Sequence, residues 1–233
     1  MNMNRKSVAV GILLCAFAFA GVVTVRAAAG KDEVKRVGAA TTVLNEMMRA
    51  RDKAIPSSIL EKAEAIAIFP GVKKAGFLVG GQWGRGIISV RDAVTRKWSS
   101  PAFLTLTGGS VGAQIGGTEI DLILVIMNRS GAEHLLSNQV KLGAEMSAAA
   151  GPVGRASEAS TDGQLHAQIL SYSRSRGLFA GVTVNGSIVK EDVDANTRFY
   201  EKTLSSEDIV FERGGSSPVS VDILKTALAR HSD

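Results

Sequence analysis

Glycine sets the terms on which this chain folds. Between Gly71 and Gly186 it interrupts apolar runs repeatedly, as in Gly80-Gly81-Gln82-Trp83-Gly84-Arg85-Gly86-Ile87-Ile88 and Gly108-Gly109-Ser110-Val111-Gly112-Ala113-Gln114-Ile115-Gly116-Gly117. Lacking a Cβ, glycine weakens helix and admits tight turns, bulges and close backbone approach. With Val, Ile, Leu and Phe between the glycines, these runs predict bent, closely packed strands. They do not supply an array of catalytic side chains, so a binding or structural domain is expected.

The N-terminal residues belong to a different context. Arg5 and Lys6 precede an uncharged, largely apolar run from Ser7 to Val25, and Arg26 leads into Ala27-Ala28-Ala29-Gly30. A basic start, an apolar stretch and small residues are the parts of a secretory leader. Ala27 and Ala29 fit the small-x-small rule, which makes Gly30 the first exported residue. The same run is long enough for an uncleaved N-terminal anchor, since a membrane-crossing helix takes about 20 apolar residues. Cys15, the only cysteine, lies mid-run behind bulky Leu14, which argues against lipidation; it leaves with the leader. The exported chain then has no thiol chemistry. The expectation is a leader at 1–29, one domain at 30–233, and an exported, periplasmic or membrane-associated location.

Removing the leader also reduces the charge. The whole chain carries 27 basic and 22 acidic residues, but Arg5, Lys6 and Arg26 leave with the leader, so 24 face 22 and the balance falls from +5 to +2. That is weak support for nucleic acid as a partner, and none is expected.

Lys31 to Ala54 reads as an amphipathic helix, because Val34, Val37, Thr41, Leu44 and Met48 recur at three- and four-residue steps. Ile55-Pro56 interrupts it, and Ser58 to Glu61 has the spacing of a capping box opening a second short helix. A first strand is expected over Ile66 to Phe69, stopped at Pro70-Gly71. Gly76 to Val90 is expected as a bent hairpin, Lys97 to Pro101 as a turn anchored by Trp98, and Ala102 to Leu106 and Val111 to Met127 as further strands. Ile120 to Met127 holds seven apolar residues around Asp121, the pattern of a strand buried on both faces. Gly131 to Leu136 reads as a short helix or turn. Lys141 to Ala150 and Leu165 to Val189 complete the sheet, and helices close the chain at Asp194 to Thr203 and Pro218 to Arg230. The fold class is α+β: one β-rich domain with a bent, glycine-rich antiparallel sheet, an N-terminal amphipathic helix and a C-terminal helix.

Gly108-Gly109-Ser110-Val111-Gly112 matches the G-x-S-x-G nucleophile elbow, which works by exposing serine on a strand-to-helix turn. Here poor helix-forming residues follow, and only His134, His166 and His231 are available as base. Asp192, Asp194 and Asn196 have the spacing that opens a calcium loop, but Thr197 and Thr203 stand where glycine and a bidentate glutamate belong; a helix start near Asp194 accounts for them more simply. No Walker lysine and no paired histidines occur, so no metal or cofactor is expected. More suggestive are basic residues beside aromatic ones: Lys73 and Lys74 in a turn before Phe77, Trp83 beside Arg85, and Arg91, Arg96 and Lys97 before Trp98. An anionic membrane surface favours that mixture, with charges at headgroups and indole at the interface. A solvated edge with tryptophans as packing anchors is the competing account.

Several segments in order carry a resemblance to a known family. They are Lys74-Ala75-Gly76-Phe77 with the glycines to Gly86, Trp98-Ser99-Ser100-Pro101-Ala102-Phe103, Ser110-Val111-Gly112-Ala113-Gln114-Ile115-Gly116, Ala150-Gly151-Pro152-Val153-Gly154-Arg155, Tyr172-Ser173 with Arg176-Gly177-Leu178-Phe179-Ala180-Gly181, and Asn196 with Phe199-Tyr200. From about Lys35 to Gly215 the chain resembles the SYLF domain family, lipid-binding domains also described as actin-binding in yeast SH3-containing proteins. The resemblance implies non-catalytic binding of phospholipid, of the phosphatidylinositol type in eukaryotic members, with membrane contact through an N-terminal amphipathic helix. The secretory leader and the lack of an SH3 or FYVE partner depart from the eukaryotic pattern. Actin binding is not carried over to an exported chain, for which phosphatidylglycerol, cardiolipin or lipid A phosphates are the expected ligands.

The resulting expectation is peripheral association with anionic phospholipid. Lys31, Lys35 and Arg36 on the helix and Lys73, Lys74 and Arg85 on the sheet are the expected headgroup contacts. Val34, Val37, Leu44, Met48 and Trp83 are the expected interface residues, and no catalytic residue is assigned. An envelope protein-interaction or structural domain is the alternative, and a serine hydrolase using Ser110 a more distant one.

Overall fold

A computed structural model describes residues 30–49, 55–137, 139–153, 167–175, 178–211 and 219–232. The expected leader at 1–29, His166, Arg155 and Arg176 lie outside the described residues. The elements are α1 (Lys31–Arg49), α2 (Ser57–Lys62), β1 (Ala65–Val90), β2 (Ala102–Ile126), α3 (Arg129–Leu136), β3 (Gln139–Lys141), β4 (Ala148–Ala150), β5 (Ile169–Ser175), β6 (Leu178–Gly181), β7 (Ser187–Glu191), α4 (Val193–Tyr200), α5 (Ser206–Phe211) and α6 (Val219–Ser232). The class is α+β with a curled, mainly antiparallel sheet, as the glycine pattern requires; β4 pairs parallel on β5.

The organising unit is one long antiparallel ribbon, β1 against β2, in register from Ala65 opposite Ile126 to Ile88 opposite Ala102. The expected stop at Pro70-Gly71 and the expected hairpin within Gly76–Val90 are therefore both replaced by a single strand. Proline supplies no N–H to a ladder, but a bulge between Phe69 and Val72 absorbs it. Gly71 takes φ +61° there, and its N–H donates to Asp121 Oδ1 at 2.9 Å. A second register shift falls between Gly76 and Leu78. The ribbon then doubles back until the two ends of β1 meet, Arg91 N–H donating to the Glu64 carbonyl at 2.8 Å. The close approach depends on Gly86, where an added Cβ would lie 2.4 Å from Phe69 Cδ1 and 2.5 Å from the Ile68 carbonyl oxygen.

Doubling the ribbon creates two buried regions. One face of the strands turns Phe69, Val72, Leu104, Leu106, Leu122 and Leu124 toward one another, together with α3 and α5. The opposite face turns Ile66, Ile68, Ile87, Phe103, Ile123 and Tyr172 toward α1, α2 and α6. The fully buried members of both regions come from residues 37–228, so a chain beginning at Gly30 keeps the whole described core.

Helix α1 forms from good helix formers, with Asp32 and Glu33 in its first turn and Arg49 in its last, the arrangement the helix dipole favours. It buries Arg36, Val37, Ala40, Thr41, Val43, Leu44 and Met47, a stripe at helical spacing. Ion pairs clamp it down: Arg36 to Asp192 at 2.9 Å, Glu33 to Arg198 at 2.9 Å, and Glu46 to Arg174. Helix α2 starts at Ser57 under Pro56 with no side-chain cap, so the Ser58–Glu61 capping box does not form; Ser58 is already inside the first turn. The expected strand over Lys141–Ala150 is two short strands around a turn. Helix α4 starts two residues earlier than the Asp194 cap expectation, because Asp192 caps it by accepting from Ala195 N–H. Helix α5 has no counterpart in the sequence expectations.

At the far end Trp98 anchors the turn between β1 and β2. Its Nε1 donates to Ser232 Oγ at 3.0 Å, and Arg91 lies over its ring. Beside it, His231 Nε2 donates to Asn45 Oδ1 at 3.1 Å. Burial lowers the His231 pKa, and Arg230 and Arg49 lower it further. The folded chain thus favours neutral imidazole, and the unfolded chain takes up the proton first. This contribution is complete above the ordinary value of 6.5 and is lost as pH falls through it toward the folded value. Thermal midpoints measured across that range should fall less steeply for His231→Gln than for the unsubstituted chain.

Candidate functional site: a basic, tryptophan-bearing sheet face

Register brings together residues that are far apart in sequence. Arg85 on β1 pairs with Thr105 on β2, Thr105 with Lys190 on β7, and Lys190 with Gln139 on β3. The next row on the same face reads Trp83, Thr107, Ile188 and Lys141. Directly opposed residues project from the same side of a sheet, and the intervening row confirms the alternation: Gly84, Leu106, Val189 and Val140 are all buried. Trp83, Arg85, Thr107, Gln139, Lys141 and Lys190 are exposed, and Thr105 and Ile188 are half-buried.

This face has defined electrostatics. Its three cations, Arg85, Lys141 and Lys190, have no ion pair with a carboxylate among the described residues. Strands lie about 4.8 Å apart, which sets Arg85 and Lys190 about 10 Å apart at their backbones with Thr105 between. The Arg85 guanidinium stands 5.3 Å from the centre of the Trp83 ring, which remains 44% exposed. Cation–π contact holds both side chains over the sheet without neutralising the charge. One row further along, the face is closed: Arg36 of α1 pairs with Asp192 and stacks 5.1 Å above Phe103.

The expected contacts divide sharply. Arg85 and Trp83 belong to the face. Lys73 and Lys74 are strand residues rather than turn residues, opposite Glu119 and Thr118 on the other limb of the ribbon, and the register does not bring them into the Arg85 row. Half-buried Lys74 has its pKa lowered by desolvation. Lys31 and Lys35 are exposed on α1, Lys35 near Asp32 at 3.4 Å, whereas Arg36 is buried in its ion pair. Val37 and Leu44, expected at a membrane interface, are fully buried core residues; Met48 packs against the same core, and Val34 is 39% exposed. The helical stripe is apolar because it covers the sheet. Lys141 and Lys190 were missed, since only strand register shows that they share a face with Arg85.

Other reactive groups are dispersed. Ser110 lies within the continuous strand β2, opposite Gly80, and so lacks the strand-to-helix turn of a nucleophile elbow. His134 stands on the solvent side of α3, 4.0 Å from Glu145. A fluorophosphonate probe is expected to leave Ser110 unmodified; labelling abolished by Ser110→Ala would overturn that assignment. The Tyr172 hydroxyl is buried without a partner among the described residues, and desolvation raises its pKa. Asp192 and Asn196 serve the helix start and a buried network with Glu191 and Ser206, and no group of metal-ligating residues occurs among the described residues. No helix among them is long and apolar enough to cross a membrane.

Fold and face together define a β-rich α+β domain organised around a surface. Residues 107–231 match the family described as Las17-binding protein actin regulator, and the chain belongs to this Ysc84 (SYLF) family. It is 34% identical over 183 residues to Protein YSC84 of Saccharomyces cerevisiae, covering 77% of this chain and 38% of that protein. It is 35% identical over 161 residues to the human SH3 domain-containing YSC84-like protein 1, covering 69% and 46%, respectively. LAS seventeen-binding protein 3 of Saccharomyces cerevisiae is 31% identical over 188 residues, covering 78% and 40%. The chain spans less than half the length of these relatives, one of which is named as a LAS seventeen-binding protein.

Proposed function

We propose that this chain is an exported, non-enzymatic domain that associates peripherally with anionic phospholipid through the sheet face. The observation that carries the reading is the set of three cations without an ion pair among the described residues, Arg85, Lys141 and Lys190, on β1, β3 and β7 beside exposed Trp83. Each Lys or Arg close to an anionic surface contributes about 1 kcal/mol, so three give reversible attachment. Indole prefers the headgroup level, where its ring is shielded and its N–H stays hydrated. The rigid sheet fixes the charges in advance and spares them ordering entropy. Lipid phosphate is the ligand chemistry; an exported chain meets it in phosphatidylglycerol or cardiolipin, in place of the phosphoinositide that the family resemblance implies. Helix α1 contributes exposed Lys31 and Lys35, while its apolar stripe stays on the core.

Vesicle co-sedimentation of the chain from Gly30 tests this. Binding is expected to phosphatidylcholine vesicles containing phosphatidylglycerol, to weaken with added salt, and to be absent with phosphatidylcholine alone. Equal binding to both, or to neither, contradicts it. A second reading is favoured by the family's description as Las17-binding: the same face docks an acidic protein partner in the envelope. That reading predicts capture of a protein with indifference to lipid composition.

A further inference from the structure

We infer that the sheet face holds a ring slot beside Trp83, and that the headgroup read there is a sugar ring bearing phosphate. This rests on the lipid reading above and deepens it, adding the class of headgroup to its charge.

The slot follows from the alternation of the strands. Gly81 lies opposite Gly109, and two residues on Trp83 lies opposite Thr107. Residues two apart in a strand share a face, so Gly81 and Gly109 form the next row beyond Trp83. Gly186 extends that row past β2: it stands two residues before Ile188, and its N–H donates to the Leu142 carbonyl at 2.8 Å. These glycines are exposed, and no described residue lies within 4 Å of a Cβ added to any of them. Gly186 needs glycine for its φ of +82°, but neither a positive φ nor a close contact accounts for Gly81 or Gly109. The face therefore steps down from the Trp83–Thr107–Ile188–Lys141 row to bare backbone, about 10 Å wide across three strands.

Trp83 is the wall of this step. Arg85 covers one side of the indole, 5.3 Å from the ring centre, while Gly81 on the other side has no side chain to cover it. A ring laid on the bare row meets backbone beneath it and the indole beside it, and the negative π face attracts the polarised C–H groups of a sugar. Thr105, Thr107 and Gln139 on the same face are uncharged groups that both donate and accept, which suits hydroxyls and not an acyl chain. The Thr105 hydroxyl donates to the Lys190 carbonyl at 3.3 Å and keeps its lone pairs for a ligand. Lys190 stands two strands from Trp83, about 10 Å at the backbone, a span that one ring with its phosphate bridges. Lys141, on the next strand, adds a second cation at the phosphate end.

Two vesicle series at matched surface potential test the slot on the chain from Gly30. One holds phosphatidylcholine with lipid A, whose headgroup is a phosphorylated glucosamine disaccharide; the other holds phosphatidylcholine with phosphatidylglycerol. Affinity for lipid A is expected to be about tenfold higher, the worth of one good aromatic contact. That preference should vanish in Trp83→Leu and in Gly81→Ala with Gly109→Ala, thermal midpoints confirming that both variants fold. Fluorescence supplies a second readout. Trp98 is 5% exposed, so quenching by a soluble ligand reports Trp83. Glucose 1-phosphate is expected to quench, and inorganic phosphate at the same concentration is not. Equal affinity for the two vesicles, a preference that survives the glycine substitutions, or equal quenching by inorganic phosphate overturns the inference. Binding to both vesicles without preference removes the slot and leaves the lipid reading standing. Quenching by glucose 1-phosphate with no binding to either vesicle assigns the slot to a free sugar phosphate and removes the lipid reading.

Discussion

Gly86→Ala lowers the thermal midpoint by about 5–10 °C, the expected consequence of about 2–3 kcal/mol of overpacking in a domain of this size. The new methyl would meet the Phe69 ring at 2.4 Å and the Ile68 carbonyl oxygen at 2.5 Å. Phe69 is fully buried, and the carbonyl is backbone, so neither can yield without opening the doubled ribbon. Gly109→Ala is the matched control, because no described residue lies within 4 Å of its added Cβ. It should leave the midpoint within about 2 °C, any gain coming from a less flexible unfolded chain. Equal effects at the two positions would show that the ribbon does not close on itself as described.

Replacing Arg85, Lys141 and Lys190 together by alanine is expected to reduce partitioning onto anionic vesicles about 100-fold. The estimate takes about 1 kcal/mol per cation near the surface and converts the sum of about 3 kcal/mol at 1.4 kcal/mol per decade. Stability should scarcely change, since the three side chains form no ion pair among the described residues and lie on the solvent side of the sheet. Replacing Lys62, Lys97 and Lys225, exposed or half-buried residues of other elements, removes the same charge and should cost much less. If the two triple variants lose affinity equally, net charge and not this face governs attachment.

Much of the fold was legible because glycine and apolar periodicity act locally. The bent sheet, helix α1 and the closing helix follow from propensity and spacing. The doubling of the ribbon does not, since it requires Phe69 to meet Gly86, far along the chain, and depends on tertiary contact. Pro70-Gly71 read as a stop because proline cannot serve a ladder; the carboxylate of Asp121 rescues the bulge, and no local pattern reveals that. The stripe of α1 illustrates a second limit: Val37 and Leu44 look the same in sequence whether they face a sheet or a bilayer, and burial decides for the sheet. Arg36 likewise read as a surface cation until Asp192 and Phe103 placed it beneath the helix. Trp83 and Arg85 could be found from adjacency, but Lys190 and Lys141 join them only through pairing across β7 and β3.

The central proposal, that one side of this sheet meets anionic lipid, is tested most directly by lysine acetylation rates with and without phosphatidylglycerol-containing vesicles. Lys141 and Lys190 should be slowed severalfold on vesicles, while Lys62 and Lys97, exposed on α2 and in the β1–β2 turn, keep their free-solution rates. Uniform rates at all four positions on protein shown to be vesicle-bound, or protection confined to Lys62 and Lys97, would contradict it.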